Sequence, residues 1–220
     1  MIIALDVEDK VKALDVIEQL RNNIGFYKVG LELYLAEGRK IVKIIKSLDK
    51  KVFLDLKLFD TPNTVYKATL RALELKPDLF SVHCLGGDEM LQSVVKAKAE
   101  SGVETKLLGV TLLTSMEADD LAMGDESSFV KEMTERALNA GFDGVVCSPK
   151  DVQLLRSKFG DGFLAVCPGI RLEKTADDQK RVGNPKQALN DGANYLVIGR
   201  PVLQACDKVK AVENIRKTIL

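Results

Sequence analysis

The sequence has a single histidine, His83, and none of its cysteines form a CxxC pair. A metal centre built on two or three histidines is therefore excluded, and any divalent-ion site would have to be made of carboxylates. His83 sits in "LFSVHCLGG" and reads as a polar residue at a strand end. Of the four cysteines, Cys84, Cys147 and Cys167 lie in apolar, strand-like runs, where cysteine behaves as a small hydrophobe; Cys206 does not. No apolar run reaches the roughly 18 residues that a membrane helix needs. The opening "MIIALDVEDK" has no basic segment ahead of its short apolar run, so neither a membrane span nor an export signal is expected, and a cytoplasmic location follows. An excess of one charge is also missing. The 32 basic and 32 acidic side chains cancel, which leaves no electrostatic reason to expect nucleic acid or a membrane surface as a partner. Low-complexity segments and composition breaks are absent as well, so 1–220 reads as one domain, long enough to bury a large core.

What the chain does have is alternation. Short apolar runs, "MIIALDV", "GFYKVGL", "KVFLDLKL", "LFSVHCL", "TKLLGVTLL", "GVVCSP", "FLAVCPGI" and "YLVIGRP", recur between longer amphipathic stretches. Their unbroken hydrophobicity suits parallel strands covered on both faces. The spacing predicts helices over Val11–Arg21, Ala36–Leu48 and Asn63–Leu75, with Ile41, Ile44, Ile45 and Leu48 forming one apolar stripe on the second. Pro62 suits the first turn of the third, where its missing N–H costs nothing. Eight strand–helix units in this length predict an α/β fold, a closed eight-stranded (β/α)8 barrel of the TIM type, with a doubly wound open sheet as the structural alternative.

"KVFLDLKLFDTPNT" begins as a core strand and then places Asp55, Lys57 and Asp60 within six positions. Burying an unpaired charge costs several kcal/mol, so such a strand must end where its charges find partners. In a barrel that place is the C-terminal end of the strands, where active sites form. Reading the other strand ends in order adds Asp6, Lys28, Thr114, Arg171 and Arg200. The last two strands end in "PGIR" and "IGRP", each setting a glycine beside an arginine. Glycine lets backbone N–H groups approach an anion, and arginine adds a fork of donors. Since barrels often bind phosphate after strands seven and eight, a phosphorylated small substrate is expected. The one long polar stretch, 172–185, lies between those two strands and has the length of a lid.

Taken together, "YKVGLEL", "DLKLFDTPNT", "VTLLTSM", "PGIR", "DDQKR" and "YLVIGRP" resemble the bacterial type of orotidine 5′-phosphate decarboxylase, in that family's order and over nearly the whole chain. The D-x-K-x-x-D-x-P-x-T segment from Asp55 to Thr64 is highly specific, and Lys28 upstream sharpens it. The resemblance implies a homodimer with active sites shared across the interface, a small-molecule nucleotide as substrate, and neither cofactor nor metal. It implies that Lys28, Asp55, Lys57 and Asp60 form a charged array, with Asp60 supplied by the partner subunit and Lys57 donating a proton to C6 of the pyrimidine. Asp55 would lie close to the substrate carboxylate. Asp6 and Lys28 would hold ribose hydroxyls, with Asp60 and Thr64 reaching across from the other chain. Thr61, which stands where many relatives carry an aliphatic residue, would be a further substrate-binding residue. Thr114, or Ser115 beside it, would meet the pyrimidine edge. Gln179, Gly199 and Arg200 would bind phosphate, with Arg171 close by.

Three other readings share parts of this pattern. A sugar-phosphate decarboxylase resembling the 3-keto-L-gulonate 6-phosphate enzyme has the D-x-K-x-x-D core, but it depends on magnesium, carries an acid where "YKVG" has Lys28, and lacks the following P-x-T. A silent phosphate-binding barrel, acting as a sensor or scaffold, would have little reason to clamp a lysine between carboxylates. A metal-dependent pentose-phosphate epimerase has the right barrel, but one histidine cannot supply its ligands.

Overall fold

The computed structural model describes residues 1–116, 125–171 and 181–219. The eight apolar runs become eight strands: β1 (Ile2–Ala4), β2 (Phe26–Val29), β3 (Lys51–Leu58), β4 (Leu79–His83), β5 (Lys106–Val110), β6 (Gly144–Val146), β7 (Leu164–Cys167) and β8 (Tyr195–Ile198). Each pairs in parallel with the next, and β8 returns to β1 through Ile2↔Val197 and Ile3↔Ile198, closing the barrel. The helices between them are α1 (Lys10–Gln19), α2 (Leu31–Glu37), α3 (Arg39–Ser47), α4 (Pro62–Leu73), α5 (Gly87–Ser101), α6 (Glu126–Ala140), α7 (Val152–Phe159), α8 (Pro185–Asn190), α9 (Arg200–Leu203) and α10 (Lys208–Ile219). Among the described residues no helix is long and apolar enough to cross a membrane.

Alternation along the strands builds two cores. Ile3, Tyr27, Val52, Leu54, Phe80, Val82 and Leu107 face outward and pack under the helices. Ile2, Ala4, Phe26, Phe53, Leu79, Leu108, Val110, Val146, Val166 and Val197 fill the barrel interior. Because side chains repeat every second residue, Asp6 shares the inward set of Ile2 and Ala4, Lys28 that of Phe26, and Asp55 that of Phe53. The interior is thus an apolar floor continued upward, on the same strands, by charges.

All three predicted helices need correction, the third only at its ends, since it runs Pro62–Leu73 rather than Asn63–Leu75. The stretch read as one helix over Ala36–Leu48 is two, because Gly38 has φ +60° and ψ −149°, a left-handed backbone that suits glycine and ends α2. The buried face of α3 is Ile41, Val42 and Ile45, while Ile44 is half-buried and Leu48 lies past the helix and is 46% exposed. The first helix begins one residue earlier than predicted and ends at Gln19, capped by Asp9, whose carboxylate accepts from the Lys12 N–H at 2.8 Å. Pro62 does open α4.

Cys84, Cys147 and Cys167 are buried and Cys206 is exposed. Burial pushes the Cys84 thiol up to about 12, and hydrogen bonding to Cys167 together with burial raises Cys147 well above its usual value, so both stay protonated and inert as nucleophiles.

Candidate active site

Above the apolar floor, at the C-terminal ends of the strands, lies a cavity of about 450 Å³, within the range of small-molecule sites. Ala4, Phe53, Val110, Val146 and Val197 form its base. Asp6, Lys28, Asp55 and Lys57 line the side built from β1, β2 and β3; Arg171, Gly199 and Arg200 line the side built from β7 and β8; Thr114 and Ser115 lie between.

The first four form a chain of alternating sign. Lys28 Nζ lies 2.8 Å from Asp6 Oδ1 and 3.6 Å from Asp55 Oδ2. Lys57 Nζ donates to the same Asp55 Oδ2 at 2.6 Å. Asp55 is buried, and its other oxygen, Oδ1, accepts from the hydroxyl of Ser81 at 2.7 Å. Burial alone would raise the Asp55 carboxyl, but Lys28, Lys57 and the hydrogen bonds from Lys57 and Ser81 outweigh it and hold the group below its usual 3.8. Burial likewise pulls Lys28 down, yet Asp55 and Asp6 prevail and raise it above 10.5. The signs fix the pH window. A depressed carboxyl contributes stability above 3.8 and loses it only as pH falls through a still lower value. A raised ammonium contributes below 10.5 and loses it only as pH rises further. Asp55 and Lys28 are therefore both ionised across the neutral range.

The backbone at Lys57 is unusual. Its φ is +49°, in the left-handed region that costs a side-chain-bearing residue about 1–2 kcal/mol. The β3–β4 register breaks there, between Leu54 and Leu58. The freed Lys57 N–H donates to Ser81 Oγ at 3.1 Å. Such a bulge re-aims a side chain, here into the cavity wall. Nearby, Gly30 leaves room for the charges: a Cβ there would stand 2.8 Å from Lys28 Nζ and 3.3 Å from Asp6 Oδ1. Burial and the Lys57 ammonium lower His83, so its ring is neutral, and Nδ1 accepts from the Leu85 N–H at 3.3 Å.

Asp60, Thr61 and Thr64 do not line this cavity. They stand exposed at the start of α4, where Thr61 N–H donates to Asp60 Oδ1 at 2.6 Å and the Thr61 and Thr64 hydroxyls are 3.1 Å apart. Gln179 and most of the predicted lid lie outside the described residues. The chain on either side of that segment is stitched together: Arg171 N–H donates to Gly183 O and Gly183 N–H to Gly169 O, each at 3.0 Å. Arg181 is buried between Asp151 and Glu126, both at 2.6 Å, and its N–H donates to Thr114 O at 3.0 Å. The sequence pattern singles out neither Ser81 nor Arg181. The one signal for Ser81 is a hydroxyl at an inward position of the otherwise apolar "LFSV"; Arg181 closes "DDQKR" with nothing local to foretell its burial.

Among the described residues no cluster of three or more histidines, cysteines or carboxylates is placed to hold a metal ion. The arrangement can bind an anion at the β7–β8 side and present an ammonium, braced by a carboxylate, to whatever lies at the β3 side.

The model of the orotidine 5′-phosphate decarboxylase / HUMPS family matches residues 1–215. The orotidine 5′-phosphate decarboxylase of Carboxydothermus hydrogenoformans is 44% identical, covering 97% of this chain and 92% of that protein. The enzyme of the same name from Dictyoglomus turgidum is 42% identical over 100% of this chain and 94% of that one. Among solved structures, the Lactobacillus acidophilus orotidine 5′-phosphate decarboxylase superposes with a TM-score of 0.85 at 33% identity, over 100% of this chain and 98% of that chain.

Proposed function

The chain belongs to the orotidine 5′-phosphate decarboxylase / HUMPS family, and from that premise we propose that it converts orotidine 5′-phosphate to uridine 5′-phosphate and carbon dioxide, with Lys57 as the proton donor and no cofactor. The observation that carries the reading is the 2.6 Å contact between Lys57 Nζ and a buried Asp55 that also faces Lys28. Losing carbon dioxide breaks the bond from C6 to the carboxylate and leaves the electron pair on C6, with no carbonyl placed to delocalise it. Without a cofactor, that charge has to be stabilised electrostatically and protonated at once. An ammonium does both: it is cationic before transfer, gives its proton to C6, and is recharged from solvent. Asp55 keeps Lys57 and Lys28 in place and opposes the substrate carboxylate more than the neutral product. The phosphate is held far from the reacting carbon by Arg200 and Gly199, with Arg171 near them and Gln179 as a further ligand. Thr114 or Ser115 meets the pyrimidine, and Asp6 with Lys28 the ribose.

The enzyme works as a homodimer in this reading. Asp60, Thr61 and Thr64 are exposed and stand outside their own chain's cavity, free to enter a partner's, and neighbouring Phe59 is 62% exposed, an apolar ring that an interface would cover. Lys28 also bears on the choice within the family, because the magnesium-dependent sugar-phosphate enzymes carry an acid there.

Incubation with orotidine 5′-phosphate and excess chelator, followed by the ultraviolet absorbance of the pyrimidine, tests the proposal. Steady decay is expected. Tight binding without decay would point to a silent barrel, and turnover that needs magnesium would point to the sugar-phosphate relatives.

A further inference from the structure

We infer that Ser81 is a positioning residue for the reaction, a single hydroxyl that sets both the orientation of the Asp55 carboxylate and the backbone bulge presenting Lys57. The inference rests on the decarboxylase reading and goes beyond it by naming what holds the charge array in register.

Ser81 is fully buried on β4, in the inward set of Leu79 and His83. Its Oγ donates to Asp55 Oδ1 at 2.7 Å and accepts from the Lys57 N–H at 3.1 Å. A hydroxyl has one donor and two acceptor sites, so both bonds form at once and their directions are fixed: proton toward the carboxylate, lone pair toward the amide. The first bond occupies Oδ1 and leaves Oδ2 for Lys57 Nζ at 2.6 Å and Lys28 Nζ at 3.6 Å. The second bond satisfies an N–H that the broken β3–β4 register leaves without a ladder partner, at the residue whose φ is +49°. A left-handed lysine persists only where its surroundings over-determine it. Here the surroundings include the same oxygen that orients its counter-ion. Removing Oγ frees the Asp55 carboxylate to turn and releases the bulge, and both changes displace the ammonium from the reacting carbon.

Alanine at 81 deletes the bridge at little steric cost, and cysteine roughly keeps the volume while weakening the donor. Both Ser81→Ala and Ser81→Cys should lower kcat about 10- to 100-fold, the loss typical of a misplacement near 1 Å, with KM within about twofold of the parent. A second readout separates positioning from structure. The groups facing Asp55 are Lys57 on its own strand, Lys28 from β2 with Asp6 behind it, and Ser81 from β4, with His83 beyond Lys57. Among the described residues Ser81 is the one neutral donor to the ionised carboxylate, and deleting it weakens the ionised form. The acid limb of the kcat profile should therefore move to higher pH in the variants. A thermal melt on each variant checks folding, and should Ser81→Ala fail to fold, Ser81→Cys carries both expectations. Unchanged kcat in either folded variant overturns the inference, as does a fall in melting temperature with the acid limb unmoved. Failure of the underlying reading is distinguishable, since the unaltered enzyme would then leave orotidine 5′-phosphate intact before any variant is tested.

Discussion

Replacing Lys57 with alanine should abolish decarboxylation, with a loss of about 10⁴-fold or more, while uridine 5′-phosphate still binds measurably. The size follows from two roles lost together. General-acid catalysis is worth about 10²–10⁴-fold. A preorganised charge at a developing anion is worth roughly 10²–10³-fold. Both reside in one ammonium, so no residual group takes over either. Lys28 is the neighbouring cation, but it is tied to Asp6 at 2.8 Å. On the proposed assignment the phosphate and ribose contacts come from other strands, so they should survive the change. Single-turnover conversion and product titration, run on the same preparation, separate the two effects. Retained turnover in a preparation free of host enzyme would remove Lys57 from the mechanism.

Arg200→Ala is expected to be the next most damaging change, and its cost should fall on catalytic efficiency. Arg200 follows Gly199 directly at the end of β8 and lines the same cavity as Lys57. Losing one partner of a desolvated charge pair costs about 2–5 kcal/mol, or roughly 30- to 5,000-fold in kcat/KM. Phosphate binding energy realised far from C6 can be used to order the charges, so the loss should appear in kcat as well as KM. Near-normal kcat/KM with orotidine 5′-phosphate would mean that the phosphate sits elsewhere.

Much of this architecture was legible in the residues themselves, for physical reasons. Parallel strands buried on both faces need continuous apolar runs, so "KVFLDLKL" and "YLVIGRP" announced themselves as β3 and β8. A charge at the end of such a run has to find partners, which drew attention to Asp55, Lys57, Lys28 and Asp6, and those four do meet in one chain of contacts. The break at Gly38 was not visible. An apolar stripe continued through it, and a glycine inside a helical pattern is tolerated often enough to be read through. Spacing alone sets Leu48 on the stripe, although the helix stops one residue short of it. Ser81 is not legible in the sequence, because one hydroxyl in an apolar strand carries no message until the opposing strand is known. Arg181 is hidden for the same reason: its two acids come from α6 and the turn before α7, 55 and 30 positions away in sequence. Pairings that depend on which strand lies beside which are not written in any local pattern.

The central claim is that the ammonium of Lys57, held by Asp55, delivers its proton to a carbanion at C6. The most direct test is to convert orotidine 5′-phosphate in deuterium oxide with excess chelator and to read position 6 of the uridine 5′-phosphate by proton NMR. An exchangeable lysine proton requires that essentially every product molecule formed carry deuterium there, in the unaltered enzyme and at a rate that vanishes with Lys57→Ala. Product bearing hydrogen at C6, or deuterated product formed at an undiminished rate by the alanine variant, would contradict the account.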